Sequence, residues 1–261
     1  MDFALIASGS KGNAFVLKSA KATIMIDCGS TKKHILSSLN KLNIDIDEID
    51  ALLITHEHSD HISQISLFRD KEIYAPISLD KVKVKKVEPY KGFKIKDINV
   101  MPIALSHDAN FTVGYIIESD KEKLSYVTDT GYLSERNEEL IKGSNYYVLE
   151  SNHDVEMLMK TKRPLYIKSR IYSDRGHLCN ESAGEILDNV VSKKTKMVIL
   201  AHISEEANTR EKALEVVSGK LKEKSDISLY VSSAGQYEMV RKGIIDEEVD
   251  LGSISTIVSV E

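Results

Sequence analysis

The chain has 261 residues, 42% of them hydrophobic and 29% charged, with a formal net charge of −5. That length suits one large domain or two small ones, and the apolar fraction is enough to bury a sizeable core. The acidic balance excludes a global basic field drawing the whole chain to nucleic acid or anionic membranes, though not an enzyme whose metals supply local positive charge.

The opening "MDFALIASGSKGN" lacks a basic segment and a long apolar run, so it does not read as a signal peptide. No apolar run approaches the length of a membrane span. Cys28 and Cys179 are the only cysteines, which predicts reduced thiols and a cytoplasmic location, without a disulfide framework. Strands are predicted at 3–7, 14–18, 22–27, 51–55, 98–105, 111–119 and 123–129, each rich in β-branched or aromatic residues and bounded by Gly, Asn, Asp or Ser. Ile35, Leu39 and Leu42 fall at helical spacing, as do Leu214, Val217 and Leu221. A further helix is predicted over 181–190 with Asn180 as its N-cap. The second half alternates strand, loop and helix: "YYVLES" precedes "NHDVEMLM", and "KMVILA" precedes "HISEEA". Strands interspersed with helices and no long linker predict a single α/β sandwich over 1–261. Residues 244–261 are acidic and then β-prone, and read equally as part of the domain or as a C-terminal extension.

The chemistry concentrates in "LLITHEHSDHISQI" (52–65), where a buried-strand pattern ends abruptly in His56, Glu57, His58, Ser59, Asp60 and His61. Imidazoles suit borderline-soft divalent metals, and a carboxylate adds charge balance and can bridge two ions. A lone His-x-His would read as an exposed polar loop. Three His and an Asp in six residues directly after a core strand do not. Three other polar residues stand where a core strand should simply stop: His107 after "MPIALS", Asp129 after "LSYVT" and His202 after "MVILA".

"HEHSDH" followed by His107, Asp129 and His202 resembles the ordered motif series of the metallo-β-lactamase superfamily, with Asp27 in "IMIDCG" matching the Asp that closes an early strand there. The resemblance spans nearly the whole chain. It implies an αββα sandwich, two mixed β-sheets flanked by helices, with a binuclear site at one edge. It implies that His56, His58 and His107 hold one divalent ion, that Asp60, His61 and His202 hold the other, and that Asp129 bridges them. Zinc or manganese is expected, and iron is compatible. Asp27 would orient a ligand without touching metal. One departure is Gln64, where a Gly often stands; it is expected on a helix surface.

Fold alone does not fix the substrate. "ASGSKGN" (7–13), "LESNHD" (149–154), "GHLCNESAGEI" (176–186) and "LAHISEEANT" (200–209) together resemble the YycJ/WalJ/VicX-type proteins of that superfamily. That implies a metal-dependent nuclease, a 5′-to-3′ DNA exonuclease in which metal-activated water attacks phosphorus. DNA is expected ahead of RNA, with no membrane partner. The loop bearing Ser10 and Asn13 offers a phosphate cradle, or just a turn. His177 precedes a helix N-terminus that favours anions, so it reads as a general acid or as a surface loop His. Asn180 would meet phosphate there. Asn152 and His153 would line the pocket, with an N-cap role as the alternative for Asn152. Asp60 would orient the attacking water. Lys81, Lys83, Lys85 and Lys86, and separately Lys160, Lys162, Arg163, Lys168 and Arg170, form basic clusters that offer a track for a polyanion.

Two rivals remain. A thioester or lactone hydrolase would keep the seven ligands but need an apolar acyl pocket. A non-catalytic nucleic-acid-binding or regulatory protein would use the metals structurally, in a closed coordination shell.

Overall fold

The predicted strands sort into two seven-stranded sheets in the computed structural model, which describes residues 1–221, 227–232 and 240–242. The first sheet places β1 (Asp2–Ala7), β2 (Ala14–Lys18), β3 (Thr23–Ile26), β4 (Ala51–Leu53), β5 (Glu72–Ala75) and β6 (Val84–Lys86) side by side, with β14 (Val240–Lys242) beyond β1. The second runs through β7 (Phe93–Ile95), β8 (Ile98–Leu105), β9 (Thr112–Ser119), β10 (Glu122–Val127), β11 (Tyr146–Glu150), β12 (Met197–Ala201) and β13 (Ser228–Val231). Both sheets are mixed. β14, β1, β2 and β3 pair antiparallel and β3 to β6 parallel, while β7 to β10 pair antiparallel and β10 to β13 parallel.

The period-two alternation of the strands explains the layering. Phe3, Leu5, Phe15, Leu17, Ile24 and Ile26 from the first sheet meet Val113, Tyr115, Ile117, Tyr126, Tyr146 and Val148 from the second in one buried cluster. The alternate residues Ala4, Ile6, Val16, Met25 and Leu52 face outward and are covered by Ile35 and Leu39 of α1 (Lys32–Lys41). On the far side, α6 (Asn180–Val190) and α7 (Arg210–Lys220) cover Tyr147, Leu149, Val198 and Leu200 through Ala183, Leu187, Ala213 and Val217. The order helix, sheet, sheet, helix is the αββα sandwich expected from the sequence.

Some expectations are corrected. β3, β4 and β10 stop one to two residues before the predicted ends, because the chain there turns out of the sheet to present polar side chains. The cap of α6 is Cys179, whose Sγ accepts from the Ser182 N–H at 3.5 Å; Asn180 is already helical. Lys81 sits in a left-handed turn (φ 69°) and Lys83 precedes β6 (Val84–Lys86), so of that basic cluster only Lys85 and Lys86 lie on a strand. Among the described residues no helix is long and apolar enough to cross a membrane, and both cysteines are buried and unpaired. The segment 244–261 lies outside the described residues.

Candidate metal centre

Five strand ends from both sheets deliver the site. Asp27 follows β3, Asp129 lies two residues past β10, and His202 follows β12. All three hold left-handed backbone, with φ of 58°, 60° and 57°. Each such non-glycine residue costs about 1–2 kcal/mol and persists only where surroundings enforce it. At His202 the enforcement is visible: its N–H donates to Ser8 Oγ at 2.7 Å, and Asn152 Nδ2 donates to its carbonyl at 2.8 Å. β4 runs through Thr55 into His56 and His58, and the single turn α2 (Ser59–Ile62) carries Asp60 and His61. His107 follows β8. The two sheets are tied together here, where Val113 N–H donates to the Thr55 carbonyl at 3.0 Å and Tyr115 Oη–H to the Ile54 carbonyl at 2.6 Å.

The imidazoles gather tightly. The His56 ring lies 4.6 Å from His58, 4.0 Å from His61 and 5.1 Å from His107, centroid to centroid. Hydrogen bonding fixes which nitrogen is free. His56 Nδ1 donates to Thr55 Oγ1 at 3.0 Å, and its buried Nε2 has no partner. His61 Nδ1 donates to Asp27 Oδ2 at 2.8 Å, while Asp27 also accepts from the Thr55 N–H and hydroxyl. His107 Nδ1 donates to the Gly176 carbonyl at 3.1 Å. His202 Nδ1 and His177 Nδ1 both donate to Glu150 Oε1, at 2.8 and 2.7 Å. In each of these rings Nδ1 is tethered; His56 Nε2 is left without a partner, whereas His61 Nε2 lies 2.9 Å from Asn13 Nδ2 and His107 Nε2 lies 3.2 Å from Asp108 Oδ1.

The electrostatics follow from burial against neighbouring charge. Burial pushes His56 and His107 down, toward the neutral imidazole a metal needs. Burial works the same way on His61 and His202, but Asp27 with Asp129, and Asp129 with Glu150, outweigh it and lift them to about 9 and about 10. Burial raises the Asp129 and Glu150 carboxyls, yet the surrounding histidines hold Asp129 well below the usual range and Glu150 at about 2. Asp27 is pulled upward by its complete burial, with His61 opposing.

These residues fit divalent ions. His56, His58 and His107 offer nitrogens within 4.8 Å of one another, and so do His56, His61 and Asp129 with one carboxylate oxygen. The orphaned His56 Nε2 and the Asp129 Oδ2, buried without a donor 3.3 Å from His61 Nε2, are polar atoms a cation would satisfy. A third group, Asp129, Glu150, His177 and His202, is equally compact. Glu150 already accepts two imidazole protons there, so it reads as a hydrogen-bonded bridge between His177 and His202. Asp60 Oδ2 lies 3.6 Å from His61 Nε2, and Asp60 belongs to none of the three groups.

The expected substrate residues divide. Ser10 is exposed on its turn. Asn13 is buried, its Nδ2 lying 2.9 Å from His61 Nε2 and 3.3 Å from Asp60 Oδ2, so it braces two site residues. Asn152 is spent on the His202 backbone, and the cap of α4 (Val155–Lys160) is Asp154. His153 is fully buried with neither ring nitrogen bonded. Asn180 is fully buried, bonded to Ser151 Oγ at 2.7 Å and to Asn208 Nδ2 at 2.9 Å, so it presents nothing to a phosphate. Gln64 lies beyond α2, not on a helix surface, and donates to the Ser30 carbonyl at 3.0 Å. Residues missed from the sequence are Ser8, Thr55, Asp108 and above all Glu150. Glu150 closes the run "YYVLE" and could have been found by the criterion that found Asp129, a charge at the end of a core strand. Glu57 accepts from the Asn110 N–H at 2.9 Å and pins the loop beyond His107.

Known proteins agree with this architecture. The family described as "Beta-lactamase superfamily domain" matches residues 22–203. A protein of Bacillus anthracis named exodeoxyribonuclease YycJ is 36% identical over 86% of this chain and 90% of its own length. Exodeoxyribonuclease WalJ of Streptococcus pneumoniae is 35% identical over 81% of this chain and 84% of its own. Among solved structures, the metallo-β-lactamase fold protein YhfI of Bacillus subtilis superposes with a TM-score of 0.69 at 14% identity, covering 92% of this chain and 98% of that one. The short form of human tRNase Z does so with a TM-score of 0.63 at 16% identity, covering 92% and 98%. The chain belongs to the metallo-β-lactamase superfamily, in its YycJ/WalJ family.

Proposed function

We propose that this chain is a divalent-metal-dependent phosphodiesterase that degrades DNA as an exonuclease, in the 5′-to-3′ direction. His56, His58 and His107 would hold one ion and Asp60, His61 and His202 the other, with Asp129 supplying a further carboxylate; zinc or manganese suits this donor set, with iron compatible. The observation that carries the reading is the pair Glu150–His177. A side chain only 21% exposed is clamped by an ionised carboxylate, with its ring 5.0 Å from both His107 and His202. A purely structural metal site has no use for it. The relatives named exodeoxyribonuclease support DNA as the polymer.

When bound, the ions supply Lewis-acid charge that neutralises the phosphate oxygens and acidifies the attacking water. The protein does the rest. Asp60, whose Oδ2 lies 3.6 Å from His61 Nε2, would orient that water. Glu150 accepts the His177 Nδ1–H, so His177 acting as general acid does so as the imidazolium, whose Nε2–H passes to the departing oxygen and whose neutral form keeps the Nδ1–H on Glu150. Buried Asp27 and Thr55 hold His61 and His56 in register.

The test is incubation with end-labelled single- and double-stranded DNA and RNA in zinc or manganese, beside Asp60→Ala. Progressive shortening of DNA from one end is expected, with Asp60→Ala slower by at least about 10-fold. The reading fails if no nucleic acid is cut with any metal or if Asp60→Ala matches wild type. Thioester turnover without DNA cleavage would instead establish the rival hydrolase.

A further inference from the structure

The most exposed large hydrophobic side chains crowd one place. Met159 (43% exposed), Leu165 (73%), Tyr166 (71%) and Tyr172 (55%) all lie on α4, α5 (Leu165–Ile171) and their flanks, and Phe111 and Tyr132 sit in the loops that follow His107 and Asp129. The same segment, 159–175, holds Lys160, Lys162, Arg163, Lys168, Arg170 and Arg175 against one acid, Asp174, in a chain of net charge −5. Three of these cations are paired, Lys160 with Glu156, Arg163 with Glu206 and Arg170 with Asp108. Lys162, Lys168 and Arg175 have no carboxylate partner among the described residues.

The segment faces the site. Ile171 packs with Leu158 and Ala207 beneath, against Ile167. Tyr166 and Arg170 stand one turn apart on another face. Arg170 Nη1 lies 3.1 Å from Asp108 Oδ2, and Asp108 Oδ1 lies 3.2 Å from His107 Nε2, so the face bearing Tyr166 adjoins the ligand edge. The helix is also fixed relative to His177. The His177 N–H donates to the Ile171 carbonyl at 2.9 Å, and a Cβ on Gly176 would fall 2.1 Å from that carbonyl oxygen, so only glycine permits the contact.

Exposed rings interleaved with cations that have no carboxylate partner match one polymer chemistry, although Lys168 Nζ donates to the Met159 carbonyl at 2.6 Å and Arg175 Nε to the His107 carbonyl at 3.3 Å. Unpaired bases stack on aromatic rings while phosphates take the cations, whereas the bases of a duplex are already stacked on each other. We propose that the α4–α5 segment is the platform on which a single-stranded end of DNA lies as it enters the site, bases on Tyr166 and Tyr172 and phosphates on Lys162, Lys168 and Arg175. The assignment of DNA rests on the exonuclease reading; the platform itself rests on α5.

The test measures binding of a labelled twelve-residue oligothymidylate with phosphorothioate linkages, and of a duplex of equal length, to the full-length zinc-loaded protein. Hydrolysis of bis(p-nitrophenyl) phosphate, too small to reach α5, is followed in parallel. Tyr166→Ala should weaken the single strand about tenfold and Tyr166→Phe restore it, with the small-substrate rate unchanged. Lys162→Ala with Lys168→Ala should flatten the salt dependence of binding by about 1.4 in slope. Equal single-strand binding by wild type and Tyr166→Ala, or a duplex bound as tightly as the single strand, overturns the platform. Because binding is read without cleavage, a wild type that holds the strand through Tyr166 yet cuts no DNA upholds the platform and removes only the nuclease reading. Cleavage of natural DNA at the wild-type rate by Tyr166→Ala with undiminished binding removes only the platform.

Discussion

Glu150 receives two imidazole protons on one oxygen and the Thr130 N–H on the other, at 2.9 Å. It therefore sets the orientation of His177 and His202 together. Glu150→Gln keeps the size but loses the charge, and an amide cannot accept both protons as well. DNA hydrolysis is expected to fall about 10- to 100-fold while the protein stays folded, the usual cost of losing a partner behind a metal ligand. Steady-state rates with a circular dichroism control check this, and wild-type turnover by Glu150→Gln would refute the role. At this scale the sequence was legible where chemistry is local. His56, His58, Asp60 and His61 crowd six residues and announce themselves, and Asp129 and His202 break core strands. Glu150 ends a core strand as Asp129 does, but its role emerges only when His177 and His202, 27 and 52 residues further along the chain, are brought to its carboxylate. Asn180 misled in the opposite direction. Its N-cap preference is real, but the helix begins one residue earlier, so Cys179 caps and Asn180 turns inward to Ser151 and Asn208.

Elements matter here by where they end. The loop after β3 and the turn before β2 both lie directly on α2: Cys28 N–H donates to the His61 carbonyl at 2.7 Å and Asn13 N–H to the Asp60 carbonyl at 2.8 Å. A Cβ added at Gly29 would sit 1.5 Å from the Asp60 carbonyl oxygen, which is backbone and cannot swing aside. Gly29→Ala must therefore displace α2, and a loss of roughly 1–3 kcal/mol in stability is expected together with weaker zinc retention. Urea titration and zinc release to a chromogenic chelator measure the two. Unchanged values in both would show that α2 is not held by this contact. Long alternating strands such as β8 and β9 were readable because period two persists over eight residues. The short β5, β6 and β7, and the one-turn α2, carry too few periods to stand out, and their pairing comes from neighbours far along the chain.

Across the whole molecule the two sheets close on each other through a charge contact as well as the apolar layer. Glu122 of β10 accepts from the N-terminal ammonium at 2.8 Å, Tyr146 Oη at 2.5 Å and Lys196 Nζ at 2.9 Å. Burial raises this carboxyl, but those donors prevail and hold it at about 2, below the ordinary 4.5. A depressed folded pKa means the stabilisation is present above about pH 4.5 and is lost as pH falls toward 2. Its size at neutral pH is roughly 1–3 kcal/mol. Glu122→Gln should be less stable than wild type at pH 7, and most of the gap should vanish by pH 3. A gap that is the same at both values would assign the effect to packing instead. The sandwich itself was legible from strand rhythm and motif order. The basic, aromatic α4–α5 surface was legible only as a run of lysines and arginines, because its exposed tyrosines gain meaning from their position beside the site.

Under the proposed mechanism His177, oriented by Glu150, gives a proton to the leaving oxygen of a phosphodiester. The most direct measurement compares wild type and His177→Ala, zinc-loaded, on DNA and on bis(p-nitrophenyl) phosphate, whose leaving group departs without a proton. The expected result is a loss of about 10²- to 10⁴-fold on DNA and little loss on the small diester. Equal losses on both substrates, or DNA cut by His177→Ala as fast as by wild type, would exclude His177 as the proton donor.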